Sequence, residues 1–417
     1  MKVFKFGGAS VKSAEAVRNV ASILNRYRDE HPVVVVSAMG KVTNALEELH
    51  LARFKHENIR ESFAKIKSYH ESICIELFGS YDRIPAHITD TIDHLEDAAH
   101  SAPTNSFDYE YDKIICFGEL ISTAIVNAYL SKSGVESTWF DARQVIRTDN
   151  RQRDARVDWE RSAIAAQQIR DKVEENKIVI TQGFIGMGTN NNTTSLGREG
   201  SDFTAAILAF LLDAESVTIW KDVPGMLNAD PKWLNDTVKL DKISFREAIE
   251  LAYYGASVIH PKTIKPLQNK NIPLYIKSFI DPEAPGSVIQ QSMEFDHLVP
   301  SYIFKANQVL ISISTRDFSF VVEDNLKQIF SILSDHGIRI HMMENSALSF
   351  SICIDKDEYK QKMLFDDLQK DYEIRYNEGV TLITVRHYEE NSLLSLVKGK
   401  EIILEQRSRH TVRMIVR

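Results

Sequence analysis

The stretch Val3-Phe4-Lys5-Phe6-Gly7-Gly8-Ala9-Ser10-Val11 decides how the longer, N-terminal part of this chain is read. Val3 to Phe6 is a strand candidate. The paired glycines punctuate it, and Val11, Ala14, Val17, Ala21 and Leu24 then recur at helical spacing. Glycine allows close backbone approach, and the helix that follows offers the positive end of its dipole. Such a turn suits an anion, with Lys5 within reach of it. The plainer alternative is an edge lysine before an ordinary strand-to-helix turn, and the glycine pair alone does not choose between them.

Outward from this stretch the pattern repeats. Val33-Val34-Val35-Val36 is a continuous apolar run, as in a parallel strand buried on both faces. Ile178 to Ile180, Val217 to Trp220 and Ile272 to Ile276 are further strands, with helical patterns between them. This alternation predicts an α/β class with a mostly parallel sheet and right-handed crossovers. Residues 40–110 are helical, polar and histidine-rich, but no two of His50, His56, His70, His87, His94 and His100 share a helix face at metal-ligand spacing. A solvated helical cover is the reading, and no metal site is assigned.

The segment Asp281-Pro282-Glu283-Ala284-Pro285-Gly286-Ser287 marks a boundary. After it a β-α-β-β-α-β order is predicted: strand Val309–Thr315, helix Glu323–His336, strands Arg339–Met343 and Ser349–Ile354, helix Glu358–Leu368 and strand Tyr372–Tyr376. A shorter second copy is predicted from strand Val380–Val385, with helix Ser392–Val397 and strands near Ile402 and Val412. The domains are therefore set at 1–280, 296–379 and 380–417.

Composition is that of a globular protein, 43% hydrophobic and 26% charged, with a net charge of -8. This balance argues against a nucleic-acid or anionic-membrane surface, though not against a small cationic pocket. Cys74, Cys116 and Cys353 are scattered without disulfide or metal spacing and are read as buried thiols in a reducing compartment. Neither the Met1–Gly8 start nor the apolar run Ala205–Leu212 has the length of a signal or a membrane span, so the cytoplasm is the expected location.

Other motifs bear on chemistry. A long loop of small residues, Gly183–Gly188 followed by Thr193–Asp202, is predicted to run into an apolar helix, Phe203–Leu212. Within it Arg198 stands between glycines, where it suits a bidentate carboxylate pair, and Ser201 and Asp202 fall where a helix N-cap belongs. Lys221-Asp222-Val223-Pro224-Gly225 and Ser37-Ala38-Met39-Gly40-Lys41-Val42-Thr43 each follow a strand's carboxyl end, where open α/β sheets bind ligands. Glu119, at the start of a helix, is placed to hold an ammonium or merely to complement the helix dipole. Joining two anions, a nucleotide phosphate and a carboxylate, demands this kit of cations, backbone N–H groups and Mg²⁺. Two unit charges 4 Å apart repel by about 4 kcal/mol at an effective dielectric near 20.

Taken together and in this order, Lys5–Val11, Leu196–Asp202, Trp220–Gly225 and Gly255–Pro261 resemble the motifs of the aspartokinases, within the amino acid kinase family. The resemblance implies an αβα sandwich kinase domain followed by ferredoxin-like ACT domains, which bind amino-acid effectors at dimer interfaces. It implies ATP and Mg²⁺ as cofactors and aspartate as the phosphoryl acceptor, at the entry to lysine, threonine and methionine synthesis, with a homodimer or higher homo-oligomer as the assembly. By the same resemblance Lys5, Gly7, Gly8 and Ser10 serve the ATP phosphates, and Lys221, Asp222, Leu227, Lys232 and Ser257 fall in the nucleotide pocket. Thr43, Glu119, Arg198 and Ser201 bind aspartate, and Lys5 and Asp202 are the catalytic pair. Lys221 stands where the family usually has Thr, and Ser257 where many members have a phosphate-contacting Lys, so Lys221 or Lys262 would have to supply that charge. Met343–Ala347 also differs from the string of lysine-sensitive members. Competing readings are a kinase for a glutamate-type substrate and a non-catalytic amino-acid sensor.

Overall fold

The computed structural model describes residues 1–417 apart from Asn176, Ser257, Val258, Leu298 and Phe318. The described chain forms two compact units. The first comprises Met1–Met226, Lys239–Ile249 and Val258–Asp296, and the second Leu227–Val238, Glu250–Ser257 and His297–Arg417. Two short pieces that the sequence assigns to the first domain thus belong to the second unit.

The first unit is built on strands β1 (Lys2–Phe6), β2 (Val33–Val36), β3 (Ser137–Phe140), β4 (Ile178–Gln182), β5 (Ile185–Met187), β6 (Thr193–Ser195) and β7 (Ser216–Lys221). Its helices include α1 (Ala14–Arg26), α2 (Val42–Phe54), α3 (Arg60–Phe78), α4 (Ala86–His100), α5 (Phe107–Ile115), α6 (Phe117–Lys132), α7 (Trp159–Ala165), α8 (Gln167–Glu174) and α9 (Gly200–Leu211). The eight-stranded sheet runs Lys242–Ser244, Ser287–Gln290, Leu274–Ser278, β7, β1, β2, β4, β3. Only the pair Leu274–Ser278 with Ser287–Gln290 is antiparallel. All four valines of β2 are fully buried, as expected for a strand covered on both faces.

Side chains alternate across β1. Phe4 and Phe6 enter the core with α1 and α6 residues and pack against Trp220, which stacks on Phe6 at a centroid distance of 5.9 Å. Lys5, between them, faces the other side of the sheet, and its neighbours along the ladder are Val35 and Ile219. Helices α2 to α4 contribute Leu46, Leu49, Ile66, Ile73, Ile88, Ile92 and Leu95 to this core. The histidine-rich segment is thus less solvated than its composition suggests. His50 and His70 are buried, and burial pushes the His70 imidazole down to about 4. The stretch Phe107–Lys132 is long and apolar enough to cross a membrane, but 78% of its apolar window is buried inside the unit, as in a core helix.

Local differences from the sequence reading have physical causes. The loop of small residues contains a hairpin, β5 with β6. Helix α9 begins earlier than predicted because Glu199, at φ 54°, makes the entry turn, which leaves Ser201 and Asp202 inside the first turn rather than capping it. Thr43 likewise lies within α2, whose N-cap is Lys41.

The second unit holds a six-stranded antiparallel sheet, ordered Ile340–Asn345, Ser349–Asp355, Ser301–Thr315, Tyr372–Arg386, Thr411–Val416, Ile402–Arg407. Helices Glu323–Asp335 and Glu358–Leu368 cover Val309, Ile311 and Ile313. The predicted strands Tyr372–Tyr376 and Val380–Val385 are one strand, and the 379/380 boundary falls inside it. Gly379 takes φ 68° close to the register shifts between Lys305 and Val309, so the pairing with Ser301–Thr315 passes the irregularity instead of ending there. The three cysteines are unpaired and buried.

Gly8 is where the turn after β1 meets the loop after β2. It accepts a hydrogen bond from the Gly40 N–H at 3.0 Å, and a Cβ on it would lie 2.8 Å from the carbonyl oxygens of both Ala38 and Gly40. Backbone cannot yield as a flexible side chain does. Gly8→Ala should therefore cost about 1–3 kcal/mol in denaturant unfolding, while Gly134→Ala, where a Cβ meets nothing within 4 Å, tests the φ 77° strain alone.

Candidate active site

At the carboxyl ends of β1, β2 and β7, beside the start of α9, lies a cavity of about 570 Å³. Lys5, Thr43, Glu119, Arg198, Ser201, Asp202 and Lys221 all line it. Residues far apart in sequence therefore share one hollow.

The centre is ionic. Lys5 Nζ stands 2.5 Å from Asp202 Oδ1, with both side chains nearly inaccessible at 10% and 5% exposure. Lys221 Nζ approaches the other oxygen, Oδ2, at 4.0 Å. Asp202 holds two ammonium groups from adjacent strands at the N-terminus of a helix, where anions are favoured. Arg198 is exposed at the cavity and has no ion-pair partner among the described residues. Around Asp202 three cations face one carboxylate, as phosphate and carboxylate ligands require, while the whole lining carries four basic and four acidic side chains.

Glu119 is the opposing charge. One oxygen, Oε1, accepts the Ala38 N–H at 3.2 Å, while Oε2 is buried and has no partner among the described residues. Burial pushes this carboxyl up to about 8, against the pull of the Ala38 N–H and of Lys5. A buried acceptor without a donor is costly, so it suits a cationic ligand group. Helix α6 fixes the β2 loop at the same place, because Ser122 Oγ donates to the Ser37 carbonyl at 2.7 Å.

The remaining sequence candidates lie elsewhere. Gly7 follows β1, and a Cβ on it would come 3.4 Å from Lys5 Nζ, so the glycine keeps the lysine's end clear. The Ser10 hydroxyl donates to the Trp220 carbonyl at 3.3 Å and is buried there, not in the cavity. Asp222 is exposed just beyond β7. Leu227 and Lys232 belong to the second unit, with Lys232 exposed. Ser257 lies outside the described residues. Lys262 is ion-paired with Asp154. Among the described residues no group of three or more His, Cys, Asp or Glu is arranged to hold a metal ion. A divalent cation would thus depend on phosphate oxygens, with Asp202 as the acidic side chain among the cations.

The sequence reading missed Glu47, Tyr111, Arg153, Phe184 and Glu199, which also line the cavity. Arg153 among them is held by Asp112, which is buried on α5. Its Oδ1 accepts from Ser195 Oγ at 2.5 Å, and its Oδ2 accepts the N–H groups of Ser195 and Arg153 at 3.1 and 3.0 Å. One carboxylate thereby ties the end of β6 and the Arg153 turn to the helical cover, and Arg198 follows β6 by a few residues. The Arg153 guanidinium lies over the Tyr111 ring at 4.5 Å. Nothing in the local sequence around Asp112 distinguishes it from a helix-surface acid.

The comparisons fit this geometry. Residues 1–278 match the model of the amino acid kinase family. Lysine-sensitive aspartokinase 3 of Escherichia coli is 32% identical over 391 residues, 92% of this chain and 86% of that protein. The chloroplastic aspartokinase 3 of Arabidopsis thaliana is 31% identical over 417 residues, 97% of this chain and 73% of that protein. The structure of E. coli aspartokinase III with aspartate and ADP superposes with a TM-score of 0.82 at 28% identity, covering 100% of this chain and 96% of that one. The same enzyme with lysine and aspartate gives 0.83 at 29% identity, with the same coverage. The chain belongs to the amino acid kinase family, among its aspartokinases.

Burial raises the Asp112 carboxyl to about 6, so the group is ionised above that pH and takes up a proton as pH falls through it. Asp112→Ala would strand the buried Ser195 N–H and the part-buried Arg153 N–H and should cost about 1–3 kcal/mol of stability. Asp112→Asn can keep its carbonyl on both N–H groups while the Ser195 hydroxyl reverses and accepts, so it should stay close to wild type. Urea unfolding of both variants at pH 7.5 checks this ordering.

Proposed function

We infer that this chain transfers the γ-phosphoryl group of ATP to the side-chain carboxylate of L-aspartate, forming 4-phospho-L-aspartate and ADP in amino acid biosynthesis. The observation that carries the reading is the convergence of Lys5, Glu119, Arg198 and Asp202 in one cavity. Two solved relatives described as aspartate complexes support it. The finer assignment is to the first step toward lysine, threonine and methionine, in the cytoplasm, with ATP and Mg²⁺. The assembly is a homodimer or higher homo-oligomer, with 1–280 as the kinase domain and an ACT-type amino-acid-sensing region over 296–379 and 380–417.

In this mechanism Arg198 pairs with the aspartate α-carboxylate, and Glu119 Oε2 accepts from its ammonium. Thr43 and Ser201 complete the polar wall. These contacts leave the side-chain carboxylate pointing at the two lysines. An oxygen of that carboxylate attacks the γ-phosphorus, the bond to the bridging oxygen breaks, and the electron pair leaves with ADP. Lys5 and Lys221 neutralise charge on the transferring group, and Asp202 holds the lysines in place before the phosphates arrive. Mg²⁺ supplies further neutralisation between the phosphates when bound. No general base is needed, because the acceptor is already an anion.

Glu119 makes aspartate binding pH-dependent. Its carboxyl is raised to about 8 by burial, so at neutral pH it holds a proton that must leave when the ammonium binds. Aspartate affinity should therefore rise with pH, by up to about tenfold per unit between 6 and 8, and level off above. Glu119→Gln should bind aspartate weakly with a flat profile over this range. The direct test is hydroxamate trapping of the acyl phosphate with L-aspartate against L-glutamate. Aspartate-dependent product should form, and Lys5→Ala should lower kcat by about 100-fold or more. Product only with glutamate, or none with either at any Mg²⁺ concentration, would overturn the reading.

A further inference from the structure

The second unit contains a cavity of about 500 Å³ lined by Tyr254, Gln406, Arg407, Ser408, Thr411 and Arg413. Its polar character comes from the last two strands. The other side chains are already occupied. Arg407 is ion-paired with Glu390 and Glu405. Gln406 donates to the Met343 carbonyl, the Ser408 hydroxyl to the Thr411 carbonyl, and Thr411 Oγ1 accepts from Arg386 at 3.0 Å.

Arg413 differs from them. Its Nη2 donates to the His341 carbonyl and its guanidinium lies 5.0 Å from the centre of the Tyr254 ring. Its Nε is buried without a hydrogen-bond partner, and no carboxylate pairs with it among the described residues. Lys305, nearby, lies 3.1 Å from His341 Nδ1, and the carboxylate in this neighbourhood, Asp355, is taken up by His341 Nε2 and Gln308 rather than by Arg413. Burial pulls the guanidinium below its usual pKa. A guanidinium cannot escape its charge by losing a proton near neutral pH. The guanidinium is part-buried without a counter-ion among the described residues, and the ring beside it offsets only part of the resulting cost.

We propose that this cavity is a binding site for a small oxyanion, the carboxylate or phosphate group of a metabolite, held by Arg413 against the Tyr254 ring. A guanidinium on the cavity wall suits a two-oxygen anion, which would take two of its N–H donors. The site lies wholly within the second unit, and it stands whether or not the kinase reading does.

The test is thermal melting and titration calorimetry of the full chain at constant ionic strength, with inorganic phosphate in one arm and acetate or succinate in the other. Saturable binding and a rise in melting midpoint are expected with at least one of these anions, and the arm that responds identifies the group. Lys5→Ala, which impairs phosphate binding in the kinase cavity, should keep the response. Adding Arg413→Gln to Lys5→Ala should abolish it, and Arg413→Gln alone should melt no lower than wild type without anion because it removes an unpaired charge. Should Arg413→Gln fail to fold, Arg413→Lys keeps the charge without the fork and should bind about tenfold more weakly. The proposal is overturned if neither anion binds saturably, if the response disappears in Lys5→Ala, or if it survives unchanged when the folded Arg413 variant is combined with Lys5→Ala.

Discussion

The kinase cavity depends on a nearly dry contact between opposite charges, Lys5 of β1 with Asp202 of α9. Taking both ions out of water costs several kcal/mol each, and their attraction returns little net stability. What the contact secures is position. Lys5 sits on a strand whose flanking residues, Phe4 and Phe6, are locked against Trp220, so its backbone cannot shift to relieve the pair. Asp202 sits in the first turn of a buried helix. A lysine and an acid on such rigid supports need little reorganisation to meet an anion, which is the condition for strong electrostatic stabilisation.

The rest of the cavity is arranged around that pair by groups that bind backbone. Glu119 and Ser122 on α6 fasten the loop after β2. Asp112 on α5 fastens the end of β6 and the turn at Arg153. Both acids are pushed up by burial, Glu119 to about 8 and Asp112 to about 6, yet they serve different ends. Both oxygens of Asp112 accept hydrogen bonds from the protein, whereas one oxygen of Glu119 is buried without a donor among the described residues.

The second unit repeats the contrast with cations. Arg407 has its carboxylates and, among the described residues, Arg413 has none. In both units the informative residue is the ionisable side chain with a buried polar atom that no described residue satisfies.

The sequence by itself determined what contiguous segments can encode. The all-valine β2, the strand-glycine-helix start at Lys5 and the Gly197–Asp202 run each carry their chemistry within a few residues. Their class and the members Lys5, Thr43, Glu119, Arg198, Ser201, Asp202 and Lys221 were legible there. Only the tertiary structure decided which of these meet, and it left Ser10 turned toward Trp220 and Lys232 in the other unit. It also decided features that depend on a partner far along the chain. Gly379 looks like a strand terminator until the strand Ser301–Thr315 pairs past it, and Asp112 looks like a surface acid until Ser195 and Arg153 close over it. Local sequence fixes backbone preference and side-chain chemistry, whereas burial and partnership arise from contacts between distant segments, and those set whether a charge is spent on the fold or kept for a ligand.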